Sequence, residues 1–193
     1  MALVHYLHRS YVQYQADILQ QFIKENERVL DFGCGDLTLA VLLLAKNPKL
    51  HITGVDVVDF HHRPKGISFQ HYDGVRLPYK DKMFDTIISY HVFHHCDDPR
   101  IMFGECLRVS KKRIIFVESV IRSRFDNIGI RVTDWVFNRW KDEAISMPYH
   151  FLSLREWYRL FAIHGLTLEE EKMVGVLPSW LPIGGTYLFS LHR

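Results

Sequence analysis

Residues 29–40 read VLDFGCGDLTLA. An apolar run reaches Asp31, turns through Gly33-Cys34-Gly35 and enters a second run of helical character. Few folds tolerate that order. A strand buried on both faces needs a continuous apolar run. Two glycines within three positions supply the backbone freedom for an abrupt strand-to-helix turn. At the carboxyl edge of a parallel sheet, such a turn is where nucleotide-like ligands meet a helix N-terminus. The stretch therefore raises a chemical question: does the ligand carry phosphates?

The rest of the chain repeats the alternation. Helical spacing of Tyr11, Tyr14, Ile18, Leu19, Phe22 and Ile23 predicts an amphipathic helix over 8–25. Strands are predicted at 28–32, 51–56, 67–72, 84–90, 113–118, 166–173 and 186–192. A helix over 37–46 is apolar nearly all round, hence expected to be buried, and Asn47-Pro48 stops it. Asp98-Pro99 opens a helix to about Val109, with Asp98 as cap. Ser153 and Glu156 form a capping box for a helix ending near Gly165. Residues 57–66 are few for a crossover helix, so a short or distorted one is expected there. The pattern is α/β: a parallel sheet with helices on both faces, binding ligands beyond the strands' carboxyl ends.

Bulk properties narrow the class. The chain has 193 residues, 48% of them hydrophobic, which suits a single domain over 1–193. A net charge of +2 demands neither nucleic acid nor a membrane surface. Cys34, Cys96 and Cys106 match no zinc or disulfide pattern and point to a reducing compartment. No apolar run approaches the roughly 20 residues that span a bilayer. MALVHYLHRS carries no signal-peptide pattern, so the expected location is cytoplasmic.

Charge separates the ligand classes. A dinucleotide site reads G-x-G-x-x-G/A, but here the third position is Thr38. Asp31 and Asp36 flank the glycines, and two carboxylates repel a pyrophosphate. They favour a cationic ligand such as S-adenosylmethionine, which has an ammonium, a sulfonium and no phosphate. Asp56 ends the second strand, where an acid accepts hydrogen bonds from ribose hydroxyls. Both S-adenosylmethionine and NAD carry a ribose, so Asp56 alone does not choose between them.

Several motifs in order now resemble one family. VLDFGCGDLTLA, HITGVD, HYDGVRLPYKDKMFDTIISYHVFHHCDDP, ECLRVSKKRIIFVES and FLSLREWYRLFAIHGL are similar to successive segments of class I S-adenosylmethionine-dependent methyltransferases. The likeness is greatest to the methyltransferase type 11 group typified by ubiquinone/menaquinone biosynthesis enzymes. It implies a Rossmann-like, doubly wound, seven-stranded sheet, mostly parallel with the last strand antiparallel. It also implies roles. Asp31 would place the methionine ammonium, Gly33 and Gly35 would admit the backbone close to the methionine, and Cys34 would offer main-chain contact. Asp56 would hold the ribose, Val57 would pack on the adenine, Asp73 beside Gly74 would accept from the adenine amino group, and Tyr90 would lie near the methionine. The family's loop usually has a glycine where this chain has Leu37.

The acceptor side is less defined. His91, His94, His95, Cys96, Asp97 and Asp98 offer metal donors, but one loop rarely completes a metal site, and no metal is expected. His91, nearest the strand end, is the candidate general base. His95 is expected to pack or hydrogen-bond locally. Asp85 is expected to be structural, and Lys111-Lys112-Arg113 a solvated turn. Residues 119–150 form an insertion where the family places a substrate lid. Trp135, Phe137, Trp140, Tyr149, Phe151, Trp157 and Tyr158 suit either an apolar or aromatic acceptor's wall or a core. Arg122, Arg124 or Arg131 could pair with an acidic acceptor, and nucleic acid is not expected. The expected activity is methyl transfer to a small molecule. The alternatives are a non-catalytic cofactor-binding partner protein and a nicotinamide-dependent oxidoreductase. The oligomeric state is not legible.

Overall fold

The computed structural model describes residues 12–123, 126, 128–131, 148, 150–174 and 185–193. Its strands are β1 (Arg28–Phe32), β2 (His51–Asp56), β3 (Ile67–His71), β4 (Phe84–Tyr90), β5 (Ser110–Val120), β6 (Thr167–Met173) and β7 (Gly185–His192). Its labelled helices are α1 (Thr38–Lys46), α2 (Pro99–Val109) and α3 (Leu154–Ile163). Residues 12–19 are also helical and run into a tight turn, Gln20–Phe22.

The strands form one sheet in the order β3-β2-β1-β4-β5-β7-β6. Strands β1 to β5 pair in parallel, while β7 is antiparallel to both its neighbours. The order reverses between β1 and β4, which opens a cleft at their carboxyl ends. Successive residues alternate faces. Leu30, Phe32, Ile87, Phe116 and Phe189 face a cluster with Phe103 of α2 and Trp157 of α3. Val29, Ile88, Ile115 and Val117 face the opposite cluster, with Leu43 of α1 and Leu19 of the first helix. The seven-stranded, doubly wound sheet with helices on both faces is as expected.

Several boundaries differ from the sequence reading. The first helix ends at Phe22, not at 25, because Ile23 is already extended. α1 is not buried all round: Leu39, Ala40 and Leu43 face the core while Val41 is exposed. Residues 57–66 hold no helix. His61 and Gly66 turn with positive φ there, and Arg63 ties the loop by pairing with Asp59 and lying 4.2 Å over the Phe69 ring. Lys111-Lys112-Arg113 lies inside β5 rather than in a turn. β6 is exposed along its whole length, and its glutamates protect a sheet edge. Trp157 is core, surrounded by Phe93, Phe103, Phe116 and Phe161. Trp135, Phe137, Trp140, Tyr149 and most of 119–150 lie outside the described residues.

Candidate functional site

The glycine turn is built by crowding on one side and openness on the other. Gly33 has φ +70°, and a Cβ there would sit 2.3 Å from Val92 Cγ2. Gly35 has φ +50°, and nothing would lie within 4 Å of its Cβ. Gly35 is thus where the backbone lies open to the cleft. Leu37, at the position of the family's usual glycine, keeps a left-handed φ of 66° and is buried. Its side chain occupies the space above Gly54 of β2, where a Cβ would be 2.4 Å from Leu37 Cδ2 and 2.7 Å from Cys34 Sγ. The departure at Leu37 is therefore matched by a glycine on the next strand.

The turn's amides face the protein, not an anion. Gly33 and Cys34 N–H donate to Val55 O at 2.9 and 3.2 Å, and Leu37 N–H to Cys34 O at 2.9 Å. Gly35 N–H donates to Asp56 Oδ2 at 2.8 Å, and Thr38 N–H to Asp36 Oδ1 at 3.0 Å. A phosphate nest needs such donors unengaged. Cys34's amide is thus committed to Val55, and its thiol packs beside Gly54. Burial, with Asp31 and Asp56 nearby, pushes that thiol far up, so it is no nucleophile.

Asp31 is 2% exposed, and its Oδ2 has no hydrogen-bond partner. Burial first, then the Asp56 and Asp36 charges, pushes its carboxyl up to about 7. A buried carboxyl with an orphaned oxygen, among other acids, disfavours an anion as its neighbour. Asp56 braces the turn through Oδ2 and accepts Val58 N–H at Oδ1, leaving a further lone pair on each oxygen. Asp73 is exposed and accepts from Val75 and Arg76 N–H, which hold its carboxyl below the usual range. Val57 lies exposed beside Gly74. The sheet order brings Asp31, Asp56 and Asp73 to neighbouring strand ends, so a ligand spanning β1 to β3 crosses about 10 Å.

The second half of the site lies past β4 and β5. Tyr90 ends β4, with its ring 4.8 Å from that of His91. His91 turns with φ 53° and donates N–H to Val117 O. Its Nδ1 lies 3.3 Å from Ser119 Oγ and 3.9 Å from Glu118 Oε1. His94 is buried, 2.5 Å from Glu118 Oε1 through Nδ1, and stacks on Phe151 with centroids 4.5 Å apart. Glu118 also accepts N–H from Phe93 and Ser119. Burial pushes its carboxyl up, but His94, His91 and the Ser119 amide outweigh this and hold it below the usual range. His91, His94 and Glu118 place one donor atom each within 4.8 Å, the one metal-like grouping among the described residues. The contact of His94 with Glu118 is a hydrogen bond, and ligands around one tetrahedral ion at about 2.0 Å stand farther apart. Glu118 is the residue that sequence reasoning missed. Its one signal was an acid ending the apolar run IIFV.

Other predicted residues lie elsewhere. Asp85 sits at the amino end of β4, accepting Arg28 N–H and pairing with Lys112. Asp98 caps α2, and Asp36, just before the Leu37 cap of α1, accepts Thr38 N–H. Arg122 is already paired with Asp126. A cleft of about 240 Å³ involves Lys82, Arg108 and Arg193 near the amino ends of β4 and β5, the end of the sheet opposite the glycine turn.

The doubly wound sheet carries a glycine turn whose amides are engaged within the protein, with acids near the carboxyl ends of β1 and β2. That is the class I S-adenosylmethionine-dependent methyltransferase arrangement. The chain belongs to the methyltransferase domain family, which it matches over residues 3–171. It is 35% identical over 99 residues to a demethylmenaquinone methyltransferase from Thermotoga maritima, covering 48% of this chain and 43% of that protein. It is 32% identical over 84 residues to ribosomal RNA small subunit methyltransferase C from Shewanella amazonensis, covering 40% of this chain and 25% of that protein. The chain thus spans less than half the length of these relatives. Its fold is similar to that of a magnesium protoporphyrin IX methyltransferase from Synechocystis bound to S-adenosylhomocysteine, with TM-score 0.66, 14% identity, and 96% and 83% of the two chains covered.

Proposed function

We propose that this protein transfers the methyl group of S-adenosylmethionine to a small-molecule acceptor. Asp31 carries the reading: a buried, orphaned, reluctantly ionised carboxyl is suited to an ammonium and hostile to a pyrophosphate. The open edge at Gly35 fits a ligand lying against the backbone. Asp56 would hold the ribose, and Val57 with Asp73 and Gly74 the adenine. Tyr90 would border the methionine.

Bound S-adenosylmethionine supplies a methyl already activated by its sulfonium, so the chain's part is to align the acceptor, exclude water and manage a proton. His91 is assigned to take that proton at Nε2, the ring nitrogen away from Glu118. Glu118, 3.9 Å away, favours the charged imidazole that results. The Glu118–His94 pair and Phe151 fix the loop that carries His91. Phe151 and Tyr90 suit an apolar or aromatic acceptor, and the low net charge argues against RNA. The single domain over 1–193, with 119–150 covering the acceptor, is part of the proposal, as is a reducing, cytoplasmic setting suited to three free thiols. Among the described residues no helix is long and apolar enough to cross a membrane.

Calorimetric titration with S-adenosylhomocysteine and separately with NADH tests the cofactor, and labelled-methyl transfer into metabolite extracts tests the acceptor. Binding of S-adenosylhomocysteine with label in a small molecule supports the proposal. Binding without transfer would make this a non-catalytic partner protein, and binding of NADH alone an oxidoreductase. Label in RNA would overturn the acceptor class.

A further inference from the structure

Among the described residues, one buried side-chain amide lacks a partner at both ends. Gln15 is 0% exposed, and neither its Nε2 nor its Oε1 has a hydrogen-bond partner. An amide buried with both ends unsatisfied is costly and rare. Asp31 Oδ2 is another such atom.

Both groups lie in one layer. The first helix presents Val12, Ala16 and Leu19 to the cluster that holds Val29, Cys34, Ile88, Ile115 and Val117. At about 100° per residue, Gln15 falls between Leu19 and Ile18, within the buried arc. Tyr14 lies beyond Ile18 at the rim of that arc and is 42% exposed, so Gln15 is nearer the middle of the buried face. Asp31 is in register with Ile88, and Ile88 with Ile115, so its side chain stands on that same face.

They also lie at one height. Arg113 donates to Phe22 O, which sets the foot of the helix. Arg113 is level with Thr86 and Val29. Laid back along the strands from Phe22, the helix reaches Gln15 after about 10–12 Å. β1 climbs from Val29 to Asp31 in about 7 Å and to Gly33 in about 13 Å. Gln15 is therefore level with the acid and the first glycine of the turn.

We infer that Gln15 binds the amino-acid end of S-adenosylmethionine, an inference that rests on the cofactor reading above. The Gln15 amide needs one acceptor for Nε2–H and one donor for Oε1. The amino-acid end offers both, as carboxylate and ammonium. Gln15 donates to the carboxylate and shares the ammonium with Asp31. The adenosine end, at Asp56 and Asp73, is out of its reach.

The test compares two ligands on Gln15→Met and on the unsubstituted protein by calorimetry. S-adenosylhomocysteine has the amino-acid end, and 5′-methylthioadenosine lacks it. Loss of hydrogen bonds to charged groups weakens S-adenosylhomocysteine by about 10- to 100-fold. The affinity for 5′-methylthioadenosine should stay within about twofold, and the ligand-free melting temperature should hold or rise, because an unsatisfied amide has been removed. A structural role would instead lower that melting temperature. Equal weakening of both ligands, or unchanged S-adenosylhomocysteine affinity, would overturn the inference. If the unsubstituted protein binds 5′-methylthioadenosine but not S-adenosylhomocysteine, the inference fails while the nucleoside site stands. If it binds neither, the cofactor reading fails and takes the inference with it.

Discussion

Asp31→Asn is the sharpest perturbation of the site. The Asp31 carboxyl has an ordinary value of 3.8 and in the fold is pushed up to about 7. Between those values the folded protein holds a proton that the unfolded chain has released. Stability of the ligand-free protein therefore falls as pH climbs through that window, and the loss is complete above about 7. At 1.36 kcal/mol per pH unit, the gap corresponds to roughly 4 kcal/mol. Asparagine is neutral throughout and escapes this cost. Urea unfolding at intervals from pH 4 to pH 8 should show the variant gaining on the parent steadily, by roughly 4 kcal/mol at pH 8. Subtracting the two curves removes every other titrating group. A difference that is flat across the range, or that shrinks with pH, would refute a buried uncompensated carboxylate. Ligand reverses the ranking: S-adenosylhomocysteine should stabilise the parent and do far less for Asp31→Asn. An ammonium also drives off the Asp31 proton. At pH 7 about half a proton should leave on binding, seen as a binding enthalpy that changes with the buffer's ionisation heat.

Three further substitutions divide the site by role. His91→Ala should slow methyl transfer by about 10²- to 10⁴-fold while S-adenosylhomocysteine affinity holds within about twofold, which steady-state kinetics and calorimetry separate. Glu118→Gln keeps shape but strips His94 of its counter-charge. Unfolding at neutral pH should show a loss of about 1–3 kcal/mol, and that difference should shrink as pH falls below Glu118's ordinary 4.5, because its depressed carboxyl stabilises only while ionised. Gly33→Ala meets Val92 and a left-handed φ, for a loss of about 2–4 kcal/mol, and adding Val92→Ala should restore the overpacking share.

The places of Asp31 and Asp56 in the sheet were legible because each announces itself locally. An apolar run such as Val29–Phe32 must be buried on both faces, and an acid where such a run nears its turn stands near the carboxyl end of its strand. Asp31 and Asp56 could be read this way without knowing the strand order. Glu118 could not. An acid ending RIIFVE is like any residue leaving a sheet, and only the pairing of β5 beside β4 carries it to His94. Gln15 did leave a trace, as a polar residue inside an apolar stripe. The 57–66 connection resisted for a different reason. Its brevity was visible, yet what replaces the helix is one ion pair and one cation–π contact, neither of which has a periodic signature.

Leu37 shows how such a loop selects its ligand. A left-handed leucine costs about 1–2 kcal/mol relative to glycine. Burying that side chain against Gly54 and Cys34 returns more than this, since emptying a buried leucine site costs about 2–5 kcal/mol. Leu37→Gly should therefore destabilise the protein by a net 1–3 kcal/mol in urea unfolding, despite restoring the family's residue. A stabilised variant would refute the match between Leu37 and Gly54. The same tight turn directs its amides inward, to Val55, Cys34, Asp36 and Asp56. Once those donors are engaged, the helix N-terminus has little left to offer an anion. The side chains beside it near the ends of β1 and β2, Asp31 and Asp56, are acids. The choice of a cation over a phosphate is thus written into the packing of the turn as well as into its charges.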